Sequence, residues 1–409
     1  MRKALLLFFV LVFVMGMGNC IRGQEKDEFS LKFGGYVNYS IIYDSRQNIA
    51  LRENHFMVYP KPEVIKNGED INAVSNLQTT SIMTRVNMKV SGGKFLGAKS
   101  TGFLETEFMG NSETDVNGLR IRHAYVDLNW GEWSLLMGHY WNPLFIVENF
   151  PDVVGANGGA PFQPFARNPQ VRLTYQTKEI KAVFAACTER DFTSTGPKGT
   201  SGEYLRNSKI PQLGFALQTN IGNHLVGIAG EYLLLMPEPV SSANFKSTNR
   251  VNSFAGLFHA KLVFDKFVLK GETVYGSNLT NYVMMGGYAV KSEDPVTKIK
   301  EFTPLRYFTY WIDMYYGKDF QVGLFIGNTK NLGSADEIKG DYYARGYDID
   351  NLLRISPRVS YKEGNVKFAI EYEYTKAGYG KNDKNGKVTD LTNVANNRIM
   401  FAAYYFLNY

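Results

Sequence analysis

Several long stretches of the chain alternate between apolar and polar residues with a period of two. In the last of them, every second residue from Ile399 to Leu407 is apolar or tyrosine, whereas the opposite face is mixed and includes Arg398. Because successive side chains of a β-strand point to opposite faces of the sheet, this pattern predicts a strand with one apolar face. The same pattern recurs in 30–44, 84–92, 103–108, 170–176, 354–362 and 366–375.

These segments favour a barrel that spans a membrane, although a one-sided antiparallel sheet of a soluble protein also alternates. Several segments exceed the ~5 to 6 residues of an ordinary soluble strand. Tyr and Phe lie near segment ends, and long polar loops alternate with short turns such as 131–133, as in outer-membrane barrels. About sixteen strands, give or take about two, are expected, and a barrel of that size leaves an aqueous channel. We therefore predict an all-β fold, a transmembrane antiparallel β-barrel with long extracellular loops.

The first residues have the pattern of a secretory signal. Arg2 and Lys3 precede an uncharged apolar run, 4–14, after which the sequence becomes polar and charged. A run this short, with a basic start and a polar exit, is typical of a cleaved signal and not of a membrane anchor. We expect residues 1–23 to be the signal peptide and residues 24–409 to form the outer-membrane β-barrel.

Composition narrows the classes of partner. Aromatic residues make up 14% of the chain, with 26 Tyr and 28 Phe, which suits a barrel with aromatic girdles. Removing the signal's Arg2, Lys3 and Arg22 lowers the count of Lys and Arg from 45 to 42, against 39 Asp and Glu. The resulting net charge of +3 is too small to indicate nucleic acid binding, and export also argues against it.

The segment 142–170 differs from the other loops. It contains five Pro, four Phe and three Gly but very few charges. A long loop exposed to water is usually polar, so an apolar one needs a surface to pack against. We predict that this loop folds into the barrel, narrows the channel and presents Arg167 to it. Packing at an interface between subunits is the alternative.

The strand faces expected to line the channel carry eleven basic and five acidic residues. The basic residues are Lys32, Arg85, Lys89, Arg172, Lys261, Lys270, Arg354, Arg358, Lys362, Lys367 and Arg398, and the acidic residues are Glu105, Glu107, Glu272, Glu371 and Glu373. A narrow passage amplifies such a field, which predicts a weak preference for anions. Alternatively, these charges pair across neighbouring strands, as Arg85 and Lys89 could with Glu105 and Glu107.

Arg120 and Arg122 are two residues apart and therefore share one face of the next strand. If that face lines the channel, Val126 would face the channel as well, although it is apolar. A β-bulge between Arg122 and Val126 would resolve this conflict.

The stretch from Arg85 to Gln176 resembles the DcaP-like trimeric porins of Gram-negative outer membranes. The resemblance is carried by TRVNMKVSG, GFLETEF, LRIRHAYVDLNWGEWSLLMGHYWNPLF and GAPFQPFARNPQVRLTYQ. It implies a sixteen-stranded homotrimeric channel that passes small hydrophilic solutes passively, often preferring anions such as dicarboxylates. It also implies that the channel-lining arginines include Arg85, Arg120, Arg122 and Arg172.

The family resemblance implies a location and a route of assembly, and the chain differs from the family pattern at two positions. It places the protein in the outer membrane, surrounded by lipid, with an aromatic C-terminal strand that the barrel assembly machinery reads. The chain has Tyr409 where Phe is usual, and His139 follows Gly138 where Gln is common.

Two other functions compete with the porin, namely a lipid hydrolase of the outer membrane and a plugged structural or adhesive barrel. A hydrolase needs a nucleophile with a neighbouring base. The five histidines, His55, His123, His139, His224 and His259, stand in no recognisable catalytic motif. No His or Cys pair has the spacing of metal ligands, and the glycine-rich run 155–160 follows no strand-to-helix pattern. We therefore predict a channel that is not an enzyme and has no catalytic residues, metal or cofactor.

Overall fold

The structure, a computed structural model, describes residues 29–407. The predicted signal peptide and Tyr409 lie outside the described residues. Within them, sixteen antiparallel strands form one closed barrel, which confirms the predicted fold class and strand number. The strands are β1 (Ser30–Asp44), β2 (Asn76–Thr80 and, after a break, Arg85–Phe95), β3 (Ala98–Glu107), β4 (Arg120–Asn129), β5 (Trp133–Trp141), β6 (Arg167–Gln176), β7 (Ile180–Cys187), β8 (Gln212–Ile221), β9 (His224–Leu235), β10 (Val251–Phe264), β11 (Phe267–Ser277), β12 (Lys300–Gly317), β13 (Phe320–Gly333), β14 (Ile349–Glu363), β15 (Val366–Asn382) and β16 (Val388–Leu407).

The barrel closes where β1 pairs with β16. Gly35 lies opposite Leu407 at one end of this ladder, and Asp44 lies opposite Arg398 at the other. The second neighbour of β1 is β2, in both of its parts. Every described barrel strand therefore has two partners, so its backbone N–H and C=O groups are bonded within the wall.

The outward faces of the strands are apolar and exposed. Phe254, Ile370 and Ile399 keep 64%, 55% and 51% of their surface accessible. A continuous belt of such residues would be a liability in water but suits the hydrocarbon of a bilayer. The inward faces are polar and buried, as Arg398 and Glu371 show. The alternation in the sequence thus separates a lipid face from an interior face.

Short turns alternate with long loops around the barrel. The long loops are L1 (45–75), L2 (108–119), L3 (142–166), L4 (188–211), L5 (236–250), L6 (278–299), L7 (334–348) and L8 (383–387). They contain short strands, at Asn48–Leu51, Phe56–Pro60, Ile65–Lys66, Glu69–Asp70, Thr195–Gly196, Gly199–Thr200, Gly286–Glu293 and Tyr342–Arg345, an α-helix at Glu203–Ser208, and 3-10 turns at Glu113–Asp115 and Thr280–Tyr282. Between residues 29 and 407, no helix has both the length and the apolar character needed to cross a membrane.

Candidate functional site

L3 folds into the barrel and packs against the wall. Leu144 and Phe162 are completely buried, and Phe145 and Phe165 are nearly so. Removing these side chains from water stabilises the folded loop by roughly 25 cal/mol per Å² of apolar surface. The inward-folded constriction loop is confirmed. The predicted range of 142–170 is too long, because residues 167–170 pair with β5 and belong to β6.

An aromatic cluster sets the direction in which L3 leaves β5. The rings of Trp141 and Phe145 stack with centroids 3.7 Å apart and planes 8° apart, and Phe165 meets both edge-on at 5.1 and 5.8 Å. Such pairs contribute ~0.5–1.5 kcal/mol each beyond their buried area. Just before them, Gly138 has a φ of +141°, and a Cβ there would collide with the carbonyl oxygen of Ala124. Glycine at this position lets β5 lie close against β4.

The tip of L3 is anchored by charged groups of the wall. The Lys270 ammonium of β11 binds the Asp152 carboxylate at 2.7 Å and the carbonyl oxygen of Phe150 at 3.0 Å. The backbone N–H of Asp152 donates to the Asp313 carboxylate of β12 at 2.9 Å. Arg358 of β14 binds the same carboxylate through two hydrogen bonds of 2.6 and 3.1 Å. Arg358, which the sequence placed on the channel lining, therefore acts here as a partner of Asp313.

Further along L3, the wall provides one more carboxylate for the backbone. The N–H of Val154 donates to Glu371 of β15 at 3.0 Å. The Asn149 amide donates to the carbonyl oxygen of Gly271 at 3.0 Å. These contacts connect L3 to β11 and β15 as well as to β12, so the loop is held across the barrel interior.

Arg354 of β14 holds two loops at once. Its guanidinium donates to the carbonyl oxygen of Ala160 in L3 at 2.8 Å, and to those of Met57 and Val58 in L1 at 3.2 and 3.1 Å. The carboxylate of Glu373 lies 3.3 Å from its Nε. L1 therefore also folds inward, beside L3. The sequence did not predict this, because only 142–170 was expected to fold inward among the long loops.

Between L3 and part of the wall lies a cavity of about 620 Å³. Its wall side is formed by residues of β1 to β5, β15 and β16, and its other side by L3 from Phe145 onward. Of the site residues predicted from the sequence, Arg85, Glu105 and Arg122 line this cavity.

A β-bulge places both arginines of the RIRHAY run on the inner face of β4. Glu105 lies opposite His123, whereas the next residue, Thr106, lies opposite Ile121, so Arg122 is the additional residue. Ile121 and Val126 both face outward and are exposed. The predicted bulge between Arg122 and Val126 is therefore confirmed, and the bulged residue is Arg122.

A network of arginines and carboxylates lies beside the cavity. Glu107, which is 1% exposed, is bound by Arg120 at 2.9 Å, by Arg122 at 2.6 Å and by Arg85 at 3.1 Å. Arg122 also binds Glu105 at 2.8 Å, and Arg85 lies 3.8 Å from Glu105. The predicted pairing of Arg85 with Glu105 and Glu107 is confirmed.

Asp191 of L4 joins this network from outside the strands. Arg120 binds it at 3.2 Å and Arg167 at 2.7 Å. Burial alone would raise the pKa of Asp191, but Arg167 and Arg120 together hold it below its ordinary value. The network thus contains four arginines and three carboxylates, so its formal charges leave one positive charge in excess.

The prediction that Arg167 faces the channel is wrong. Arg167 is the first residue of β6 and is completely buried, with its guanidinium 4.8 Å from the ring centroid of Trp141. The aromatic cluster and Asp191 cover it, so its charge is compensated inside the wall. Sequence reasoning missed Asp191 because that residue lies in a different loop, and nothing near it indicates an inward direction.

The two remaining predicted residues lie in different surroundings. Arg172 is buried and donates to Gln170 at 3.0 Å and to the carbonyl oxygen of Trp141 at 2.6 Å. Lys89 is exposed and lies opposite Lys32 and Phe103 on the neighbouring strands. For residues 29–407, the predicted pairing of Lys89 with Glu105 or Glu107 is not observed.

L4 contains a second buried carboxylate, in a different environment. Glu189 is buried and accepts hydrogen bonds from the backbone N–H and the hydroxyl of Ser194, at 3.1 and 2.6 Å. Burial raises the pKa of Glu189 to about 7, because these two bonds offset the loss of water only in part.

In the part of the chain that the structure describes, no three His, Cys, Asp or Glu side chains are grouped so that they could hold a metal ion.

Solved structures with the same fold are channels and porins. The chain is similar to the outer membrane channel DcaP of Acinetobacter baumannii, with 18% identity, a TM-score of 0.70, and coverage of 93% of this chain and 97% of that one. It is also similar to an anion-selective porin from Comamonas acidovorans, with 11% identity, a TM-score of 0.59 and coverage of 93% and 100%. The trimer form of OmpT, an outer membrane protein of Vibrio cholerae, has 9% identity, a TM-score of 0.57 and coverage of 93% and 100%.

Sequence comparison adds nothing to this structural likeness, since no family model and no curated protein matches the chain. At these identities the likeness shows the fold. The chain is a transmembrane β-barrel of the kind found in Gram-negative outer membranes, as its resemblance to DcaP-like porins led us to expect.

Proposed function

We propose that this protein is a porin of a Gram-negative outer membrane, through which small hydrophilic solutes diffuse passively. The observation that carries the proposal is the cavity that L3 leaves open along one side of a closed sixteen-stranded barrel. A barrel of this size is wide enough for an aqueous passage, and an inward loop reduces it to the dimensions of a small solute. The protein does no chemistry on its solutes in this proposal, and it uses no cofactor or metal.

A weak preference for anions is part of the proposal. The arginine network has one positive charge in excess, and Lys89 and Lys362 are exposed elsewhere on the inner wall. Charges along a passage with low-dielectric walls attract counter-ions over several ångströms. The residues proposed to set the preference are Arg85, Lys89, Glu105, Glu107, Arg120, Arg122, Arg172, Arg354 and Arg358, with the buried members acting through the field and not by contact.

The proposed assembly is a homotrimer that is exported with a signal peptide and folded by the barrel assembly machinery. The resemblance to DcaP-like trimeric porins supports the trimer, as does the trimer form of the Vibrio protein with the same fold.

A plugged structural barrel is the second candidate, because two loops and not one occupy the interior. L1 and L3 meet at Arg354, and their apolar side chains share one buried cluster. In this case the cavity would be a closed recess, and the protein would not conduct.

Single-channel recording in a planar bilayer with a salt gradient tests the proposal. We expect stepwise openings in groups of three, with a reversal potential on the anion side. Openings with cation selectivity would keep the porin and contradict the charge assignment. Silence from protein that shows the heat-modifiable gel mobility of a folded barrel would favour the plugged barrel.

A further inference from the structure

The cavity beside L3 is unusually aromatic for the interior of a porin-type barrel, which is generally polar. Ten of its 25 lining residues are Phe, Tyr or Trp, compared with 14% of the whole chain. This enrichment lies on the inside of the wall, so the aromatic girdles that face lipid do not account for it.

The first group of rings crosses three neighbouring strands. Phe103 on β3, Tyr125 on β4 and Tyr140 on β5 form a row with centroids 5.4 and 5.3 Å apart. All three are half-buried, so each keeps part of its surface open to the cavity. His123 lies 5.1 Å from Tyr140 and 5.7 Å from Trp141, and it connects this row to the aromatic cluster of L3.

The second group lies across the seam between β1 and β16. Tyr36 is 5.5 Å from Tyr404 and 5.9 Å from Phe406, and all three rings are half-buried. The guanidinium of Arg85 lies 5.0 Å from the Tyr36 centroid, on the strand that separates the two groups. The cavity therefore presents two sets of aromatic surfaces together with a polar strip, which consists of Arg85, Glu105 and Arg122 on β2, β3 and β4.

The charges of this polar strip already compensate each other. Arg85 and Arg122 both bind Glu107, and both lie against Glu105. An incoming anion would have to compete with these carboxylates. A hydroxyl group both donates and accepts, so it can bind a guanidinium N–H and a carboxylate oxygen while the ion pair stays intact.

Given the proposed porin function, we infer that this cavity is a binding site for neutral saccharides along the passage. A pyranose ring has apolar C–H faces, which are attracted to the electron-rich faces of aromatic rings, and a rim of hydroxyl groups. The aromatic groups would pack against the faces of the sugar ring, and Arg85, Glu105 and Arg122 would form hydrogen bonds with its hydroxyl groups. The positive excess of the wider wall still favours small anions in the current, because ion selectivity depends on the long-range field and sugar binding depends on contact.

The test is the block of ion current by maltotriose, titrated on either side of a bilayer that contains the protein. We expect a saturable block in the millimolar range. In a Phe103→Leu, Tyr125→Leu double variant, which keeps apolar bulk but removes two ring faces, the binding constant should fall about ten-fold. Tyr36→Leu tests the second group separately if the double variant does not fold, and Phe254→Leu on the lipid face is the matched control that should leave the binding constant unchanged.

Three outcomes would overturn the inference. The first is a reduction of the current by polyethylene glycol of similar size that equals the one by maltotriose, which would mean simple exclusion of volume. The second is block by benzoate where maltotriose does not block, which would mean a site for aromatic anions. The third is wild-type binding of maltotriose by both aromatic variants. In each of these cases the channel still opens, whereas failure of the porin proposal itself would appear as the absence of any openings.

Discussion

The inner wall of this barrel has two sectors that use the same kinds of residue differently. In the open sector, β1 to β5, inward arginines and carboxylates bind each other and border the cavity. In the covered sector, β11 to β14, the inward residues Lys270, Asp313 and Arg354 bind L3 and L1. Arg358 of the same sector binds the Asp313 carboxylate that holds L3. Both sectors show the same alternation of polar and apolar residues in the sequence. The difference teaches that an inward charge borders the cavity only where no loop residue is bonded to it.

This contrast also explains why a count of inward charges overstates the field in the passage. Eleven basic and five acidic inward residues were expected from the sequence, but several of the basic ones have partners from loops. Asp152 and Asp191 provide two carboxylates that a strand-by-strand count leaves out. The remaining excess around the cavity is accordingly small.

The covered sector can be broken at Arg354. Arg354→Met removes the donors to three loop carbonyl oxygens and leaves Glu373 buried without its partner. We expect the docking of L1 and L3 to weaken by roughly 3–5 kcal/mol. Protease cleavage within both loops should become fast, and single-channel conductance should rise.

Two matched variants control this experiment. Arg354→Lys should restore part of the protection, because an ammonium still donates to one or two carbonyl oxygens. Lys384→Met removes the exposed ion pair with Glu337, which water screens, and it should leave both loops as protected as in the wild type. Native-like protection of both loops in Arg354→Met would contradict the role assigned to the covered sector.

The open sector can be altered at Glu107. Glu107→Gln leaves Arg85, Arg120 and Arg122 with one carboxylate fewer, so the network gains one positive charge. We expect a loss of stability of roughly 2–3 kcal/mol and a reversal potential that moves further to the anion side. Glu337→Gln, at an exposed site in L7, should change neither. An unchanged reversal potential in Glu107→Gln would mean that ions do not pass near this network.

A smaller change separates the two anchors of the L3 tip. Asp152→Asn abolishes the ion pair with Lys270 but keeps the backbone N–H that Asp313 accepts. We expect a loss of ~1–2 kcal/mol, confined to the tip. Hydrogen exchange of the L3 amides should accelerate near Val154 and not near Leu144. Equal acceleration along the whole of L3 would show that the loop opens as one unit.

The last expected effect uses pH and a carboxylate that belongs to neither sector. Glu189 has no arginine partner like those of Glu107, and its pKa is raised to about 7 from 4.5. The closed L4 therefore holds this proton more tightly than an opened L4 does. Closure should weaken as pH rises from about 4.5 to about 7, and it should level off above that.

Hydrogen exchange of the L4 amides measures this effect, once each rate is divided by the intrinsic exchange rate at the same pH. We expect opening to increase by roughly one to two orders of magnitude between pH 5 and pH 8, a range set by the shifted pKa. Glu189→Gln should flatten the profile, because its amide does not titrate. A wild-type profile that is already flat, or one with the opposite slope, would contradict the assignment.

Features of a single strand, and contacts between strands that are consecutive in the chain, were predictable from the sequence. The alternation around Ile399 revealed a strand face, and the conflict between Arg122 and Val126 revealed a bulge. Arg85 with Glu105 and Glu107 was predictable because their strands are consecutive in the chain. These predictions depend only on residue order and on the two-residue period of a strand.

Contacts between distant parts of the chain were not predictable. Arg354 binds Met57 across about three hundred residues, and Asp191 meets Arg167 through a loop with no distinctive pattern. The aromatic lining of the cavity was missed for a similar reason. Tyr36 and Tyr404 come together only through barrel closure, and each alone looks like an ordinary strand residue.

The seam between β1 and β16 makes the cavity a late product of biosynthesis. Tyr36 belongs to β1, and Tyr404 and Phe406 belong to β16, so one side of the cavity does not exist until these two strands of the barrel meet. A chain in which β16 has not paired with β1 lacks this side of the cavity, however many of its other strands have paired. In the proposed porin, completion of the barrel and formation of the selective passage are therefore one event.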